Sequence, residues 1–230
     1  MQVRTYLKDT YAEQADTRVI AVGEREGRSW AAVEHCLFHP QGGGQPADRG
    51  WLDDVEVVPV RDESSGLVVV VAAGEEGGWP GFADGQPVRA RIDLETRLAH
   101  AALHTAGHLI ESAGRAQGWE LAANIHFPGQ ARIEFTAPRP DPRPAEPEGR
   151  EEVLAELRKA VDAAVAEDLP VTAAVDGQGR RVVSLGALHS APCGGTHVRG
   201  LGDLIDVELS LKVKRGRIRV SYSAAHGPRR

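Results

Sequence analysis

Two short stretches decide how this chain reads: His104-Thr105-Ala106-Gly107-His108, and far downstream Cys193-Gly194-Gly195-Thr196-His197. Around the first, apolar residues recur at Leu94, Leu98, Ala102, Ala106, Leu109, Ile110 and Ala113. No proline interrupts them and Gly107 is the one weak point, so Asp93 to Ala113 is expected to be helix. Residues four apart on a helix project within roughly 40° of each other, so both imidazoles leave one face and can share an ion. The second stretch offers a soft thiolate and another imidazole on a turn where Gly194 and Gly195 let the backbone fold tightly. Three imidazoles and a thiolate are a tetrahedral N/S set, a composition that favours zinc among common metals.

Each stretch alone is a weak signal, since a histidine pair at i, i+4 is more often surface or satisfied core than ligand. Together they are specific. A zinc-protease reading fails because HTAGH lacks the glutamate of HExxH that would act as general base. HTAGH followed by PCGGTH resembles the second additional domain of threonyl- and alanyl-tRNA synthetases, and its free-standing relatives, the AlaX-type alanyl-tRNA editing proteins. The resemblance implies that His104, His108, Cys193 and His197 are zinc ligands. His100, one turn before His104 on the same face, satisfies the spacing too; the family motif passes over it, and it is expected to be exposed.

Composition sets outer bounds. With 230 residues, 41% hydrophobic and 26% charged, the chain reads as an ordinary soluble globular protein with ample core. No apolar run approaches the ~20 residues of a membrane span, and MQVRTYLKDT carries no apolar signal segment, so a cytoplasmic protein without a membrane partner is expected. Two cysteines do not make a disulfide framework; Cys193 is claimed by the metal, and Cys36, within the apolar run Ala31–Phe38, is expected to be a buried thiol. A net charge of −6 argues against coating nucleic acid by bulk electrostatics, though not against a local basic patch that grips one RNA end.

The expected fold class is α+β: a small N-terminal β-barrel over residues 1–92, then an α+β core over residues 93–230 with an antiparallel sheet and the zinc-ligand helix. Arg18–Gly23, Trp30–Phe38, Asp54–Val60, Leu67–Ala73 and Val88–Ile92 make about five strands, with Pro and Gly confined to connections. Ala131–Thr136 reads as a strand. Ala137–Gly149 holds five prolines and is expected to lack regular structure. Glu151–Asp168 reads as a helix with Val153, Leu157, Val161 and Val165 as its apolar stripe. At the end of the chain Ile205, Val207, Leu209, Leu211 and Val213, then Ile218, Val220 and Tyr222 after a turn, alternate as the inward face of a hairpin. Its outward face carries Lys212, Lys214, Arg217 and Arg219, with Arg215 at the tip. These five cations are the candidate grip on an RNA backbone.

Between the second and third strands lies His39-Pro40-Gln41-Gly42-Gly43-Gly44-Gln45-Pro46-Ala47-Asp48. It is similar to the glycine-rich motif of the longer AlaX-type proteins, which borders their editing pocket. That places Gly42, Gly43, Gly44, Gln45 and Asp48 as candidate substrate contacts. The resemblance spans nearly the whole chain and looks like the medium-length, free-standing form. It implies hydrolysis of the ester joining a wrong amino acid to alanine tRNA, principally L-serine, with glycine second, by a monomer, with His104, Cys193 and Thr105 taking part. Four protein ligands are the pattern of structural zinc, whereas a catalytic zinc keeps a position open. Either one ligand is loose, or zinc holds the pocket and the substrate amine or hydroxyl while backbone donors of the glycine turns carry the oxyanion; an open or exchangeable fourth position is expected. Thr105, between the two ligand histidines, is implied as the reader of the serine hydroxyl; spacing alone reads it as a back-bonded helix threonine. Beyond CGGTH the family's Thr-Gly-Glu-Ile-Gly run is replaced by Val198-Arg199-Gly200-Leu201-Gly202-Asp203-Leu204, so contacts just past the zinc turn differ. Two other classes fit less of this: a non-catalytic tRNA-binding accessory module with structural zinc, and a zinc hydrolase of small esters or amides.

Overall fold

Short β-branched segments dominate the N-terminal part, and in a computed structural model, which describes residues 1–74, 79–139 and 141–228, they become strands. These are β1 (Val3–Arg4), β2 (Gln14–Arg25), β3 (Arg28–Val33) and β4 (His35–Cys36). After the glycine-rich loop come β5 (Gly50–Leu52), β6 (Val55–Arg61), β7 (Val68–Ala72) and β8 (Pro87–Ile92). Six of them close into a barrel in the order β2-β3-β7-β6-β5-β8, an arrangement that removes sheet edges. The expected barrel is present, with one strand more than periodicity suggests, because β5 is too short to show a period. The expected strand Trp30–Phe38 breaks after Val33. Pro59 sits inside β6 rather than in a connection; β5 pairs only as far as Val57, so the missing N–H of Pro59 lies beyond the paired stretch. Alternating Val88, Ala90 and Ile92 of β8 are buried with Val57, Val68 and Val70 in the barrel core. Cys36 is fully buried there, and burial pushes its thiol up to about 12.

The chain divides into two compact units, Met1–Gly42 with Pro46–Leu98, and Gly43–Gln45 with Ala99–Arg230. The division runs through the long helix α1 (Leu94–Ala116). Asp93 caps that helix: its carboxylate accepts the Thr96 N–H at 3.0 Å and the Thr96 hydroxyl at 2.9 Å. Every residue from His100 to Glu111 is buried, so the middle of α1 is covered all round and not amphipathic. His100 is accordingly buried, at 7% exposure, which corrects the expectation that it faces solvent.

The second unit continues with β9 (Glu120–Ile125), β10 (Arg132–Thr136) and α2 (Pro147–Ala166), followed by β11 (Val171–Val175), β12 (Arg181–Leu185) and β13 (His189–Pro192). A hairpin of β14 (Leu204–Lys214) and β15 (Arg217–His226) ends it. Two antiparallel sheets result, β14-β15-β10-β9 and β11-β12-β13. Ala102, Ala106 and Ile110 of α1 share one core with Val153, Leu157 and Val161 of α2 and with Ile133, Phe135 and Val220 of the larger sheet.

Three local expectations change. The proline-rich run is not wholly irregular: Arg143–Ala145 forms a 3-10 turn and α2 starts at Pro147, because proline suits the first helical position, where no N–H is needed. Pro140 of that run lies outside the described residues. The stripe of α2 moves from Val161 to Ala164, since a strict four-residue repeat drifts off a 3.6-residue helix. In β14 the register shifts between Ile205 and Glu208, around Asp206 at φ 52°. That bulge turns Ile205 outward, 40% exposed, and puts Leu204 inward in its place. Val213, near the hairpin tip, is also exposed.

Candidate metal centre

His104 and His108 stack on one face of α1 with ring centroids 5.2 Å apart. The turn after β13 brings Cys193 and His197 to them, and the four donor atoms lie within 4.8 Å of one another. Cys193 Sγ is 3.5 Å from His104 Nε2 and 3.2 Å from His197 Nε2. The turn fits only because Gly195 has no side chain: a Cβ there would run into the His104 ring. Arg181 of β12, which no spacing rule singles out, holds the turn by donating to the carbonyls of Cys193 at 2.8 Å and Gly195 at 3.1 Å.

What sets this cluster apart from packed histidines is the other nitrogen of each ring. His104 Nδ1 donates to Gln45 Oε1 at 2.7 Å. The same oxygen accepts the Thr196 N–H at 3.0 Å, while Gln45 Nε2 donates to the Thr196 hydroxyl at 2.8 Å. His197 Nδ1 is 3.0 Å from Thr105 Oγ1; that hydroxyl gives its own proton to the Ala101 carbonyl at 2.8 Å, so the histidine is the donor. Thr105 Oγ1 also accepts the Val198 N–H at 3.2 Å. His108 Nδ1 is 2.9 Å from His189 Nε2. Each ligand ring is thus fixed through Nδ1 with Nε2 left for an ion, the arrangement that orients metal-bound imidazoles. Burial, reinforced by His189 and His126, pulls His108 down to about 3 and keeps it neutral, as a ligand must be. Burial raises the Cys193 thiol, against the Gly195 N–H and Arg181.

Gln45 reaches this unit because Gly43–Gln45 belong to it. Gly42 and Gly43 are exposed, and the Gly44 carbonyl accepts the His126 N–H at 2.8 Å. Asp48 belongs to the barrel unit. Both it and Arg97 are fully buried there: Arg97 Nε donates to Asp48 Oδ1 at 2.7 Å, a second guanidinium nitrogen to Oδ2, and the His39 N–H to Oδ2 at 2.5 Å. A carboxylate so occupied forms a core ion pair in the barrel unit.

Residues without a sequence signal complete the site. His189 and Glu111 form a second donor group with His108, although Glu111 pairs with Arg115 at 2.8 Å. His126, between β9 and β10, lies with its ring 4.4 Å from that of His104 and 19° from parallel. Gly107 makes room for it, since a Cβ there would strike the His126 ring and the Tyr222 hydroxyl. The glycine inside HTAGH was the available hint of a close approach.

On the large sheet Lys212, Lys214, Arg215 and Arg217 are exposed, and Lys212 lies opposite Arg219. Glu134 of β10 moderates that face: Arg219 pairs with it at 2.7 Å, Arg132 at 3.3 Å and Arg217 at 3.5 Å. Lys212, Lys214 and Arg215 make no ion pair among the described residues. An open pocket of about 510 Å³ is lined by Leu103, Arg132, Arg219 and Tyr222 among others.

Along 95% of its length the chain is 27% identical to the alanyl-tRNA editing protein AlaX-M of Pyrococcus horikoshii, 93% of which is covered. It is 26% identical over 86% of its length to AlaX-L of the same organism, covering 52% of that protein. It is also 30% identical over 95% of its length to an alanine–tRNA ligase of Caldivirga maquilingensis, covering 26% of the ligase. No protein-family model matches the chain. The chain is thus similar to AlaX-type alanyl-tRNA editing proteins and to a segment of alanine–tRNA ligases.

Proposed function

We propose that the chain is a zinc-dependent aminoacyl-tRNA deacylase acting as a monomer on mischarged alanine tRNA, with L-serine the principal amino acid removed and glycine the second. One conjunction carries the reading. The chain is similar along nearly the full length of a protein named for alanyl-tRNA editing, and it holds a donor set of three buried histidines and a half-buried cysteine, with the second nitrogen of each ring engaged. That donor set fits zinc: N and S ligands, four of them, each imidazole oriented from behind. His104, His108, Cys193 and His197 would hold the ion; with one of the four exchangeable, it would supply Lewis acidity toward an ester carbonyl or a water.

The rest of the chemistry asks little of the protein. An aminoacyl ester is already activated, so its hydrolysis needs a positioned attack and stabilisation of the developing oxyanion. Gln45 and Thr105 position by holding His104 and His197. The burial of all three ligand histidines keeps bulk water from the reacting centre, which strengthens every polar contact there. We assign this chemistry to the second unit. The backbone of the RNA is taken by Lys212, Lys214 and Arg215, with Arg217 and Arg219 beside Glu134, supported by their exposure and by the shared face of β14 and β15.

The test is hydrolysis of Ser-, Gly- and Ala-charged alanine tRNA with and without chelator, on protein whose zinc has been measured. About one zinc per chain, faster loss of serine than of alanine, and arrest by the chelator are expected. Full zinc with no hydrolysis of any charged tRNA would leave an accessory module. Hydrolysis of small aminoacyl esters but not of charged tRNA would leave a small-molecule esterase.

A further inference from the structure

We propose that His126 reads the side-chain hydroxyl of the seryl group, with its Nε2 accepting a hydrogen bond from that hydroxyl. The proposal rests on the deacylase reading and names the residue that makes it selective.

The tautomer follows from two contacts. His126 Nδ1 is 2.5 Å from the Tyr222 hydroxyl, and that hydroxyl is 3.1 Å from the Leu103 carbonyl oxygen. A tyrosine has one proton to give. If it went to His126, the Leu103 contact would be two buried oxygens with no hydrogen between them. With the proton on Nδ1, both contacts are hydrogen bonds, Nδ1–H to the tyrosine oxygen and the tyrosine O–H to the carbonyl. Nε2 then carries a bare lone pair. It is buried, and no residue among those described donates to it.

A buried acceptor without a donor is rare in a folded chain and calls for a ligand that brings one. This one sits on a ring stacked against His104, beside the donor cluster. The other polar groups near the ligands are already committed. Thr105 uses its proton on Ala101 and accepts from His197 and Val198. Gln45 uses its oxygen on His104 and Thr196, and its nitrogen on the Thr196 hydroxyl. An editing site cannot keep alanine out by size while admitting the larger serine. It has to be incomplete without the hydroxyl, and a polar group left unpaired by the wrong substrate discriminates strongly. His126 Nε2 is such a group.

Two variants separate the roles of the ring. His126→Asn keeps a nitrogen near Nδ1 for Tyr222 and removes the acceptor at Nε2; His126→Gln places an amide near Nε2 instead. The zinc content and the deacylation of Ser-, Gly- and Ala-charged tRNA are measured for both, together with calorimetric binding of non-hydrolysable 3′-amide analogues of seryl- and alanyl-adenosine. His126→Asn should lower the Ser/Ala ratio, in rate and in analogue binding, by about ten- to a hundredfold, the worth of one buried hydrogen bond. Zinc should stay at the wild-type level, and His126→Gln should recover part of the ratio. In the wild type, the ¹⁵N signal of His126 Nε2 should move with the seryl amide and not with the alanyl amide. If wild type deacylates Ser-tRNA while His126→Asn keeps the Ser/Ala ratio, or loses all three substrates equally with zinc intact, the role of His126 is refuted alone. If wild type deacylates none of the three, the deacylase reading fails and takes this role with it.

Discussion

At the scale of single residues, three imidazoles each commit one nitrogen to the protein, and how well the proposed metal site would hold an ion depends on what that nitrogen meets. Gln45 and Thr105 are the partners of His104 and His197. Gln45→Ala and Thr105→Val each remove an acceptor and leave a buried N–H without one. Either substitution should weaken zinc binding about ten- to a hundredfold, read by competition with a coloured chelator. Because both act through a ligand, hydrolysis of Ser- and Ala-charged tRNA should slow together. That pattern differs from the ratio change expected at His126, so the two kinds of residue can be told apart in one set of assays. Wild-type zinc affinity in both variants would mean that packing alone orients the rings.

At the scale of elements, α1 does more than present two histidines. Its middle turns are buried on every side, and small residues there admit neighbouring rings. Gly107 is the clearest case, with His126 and Tyr222 lying where its Cβ would be. In an open helix, glycine to alanine gains roughly 1 kcal/mol from helix propensity. Here the added methyl overpacks the site, at a cost of about 1–3 kcal/mol, so Gly107→Ala should be neutral or destabilising. The urea midpoint should stay level or fall with an unchanged slope; a clear rise would show that His126 is not packed against the helix. The bulge at Asp206 makes the same point for strands. One extra residue turned Ile205 outward and Leu204 inward, while Leu209 and Leu211 beyond it kept their side.

At the scale of the whole molecule, an acidic chain carries a basic sheet face. Replacing Lys212, Lys214 and Arg215 with alanine should weaken tRNA binding and reduce the steepness of its salt dependence, by about one unit of slope for each phosphate no longer neutralised. Replacing Arg219 should change the slope less, because Glu134 already partners it. An unchanged slope in the triple variant would move the RNA surface to another face. No helix among the described residues is long and apolar enough to cross a membrane. The sequence by itself determined the barrel, the hairpin and both helices, because period is a local property that neighbours in the chain settle; the four candidate metal donors came from the family resemblance, since spacing alone left His100 an equal choice. The sequence also contained the family resemblance that the similarity to AlaX-M along nearly its full length bears out. Only the tertiary structure decided that Asp48 pairs with Arg97 in the barrel, that His100 is buried, that Gln45 stands behind His104, and that His126 lies on its ring. Those facts are contacts between residues remote in sequence. A hydrogen bond or a stacked ring leaves no periodic trace, so they exist only once the chain has folded.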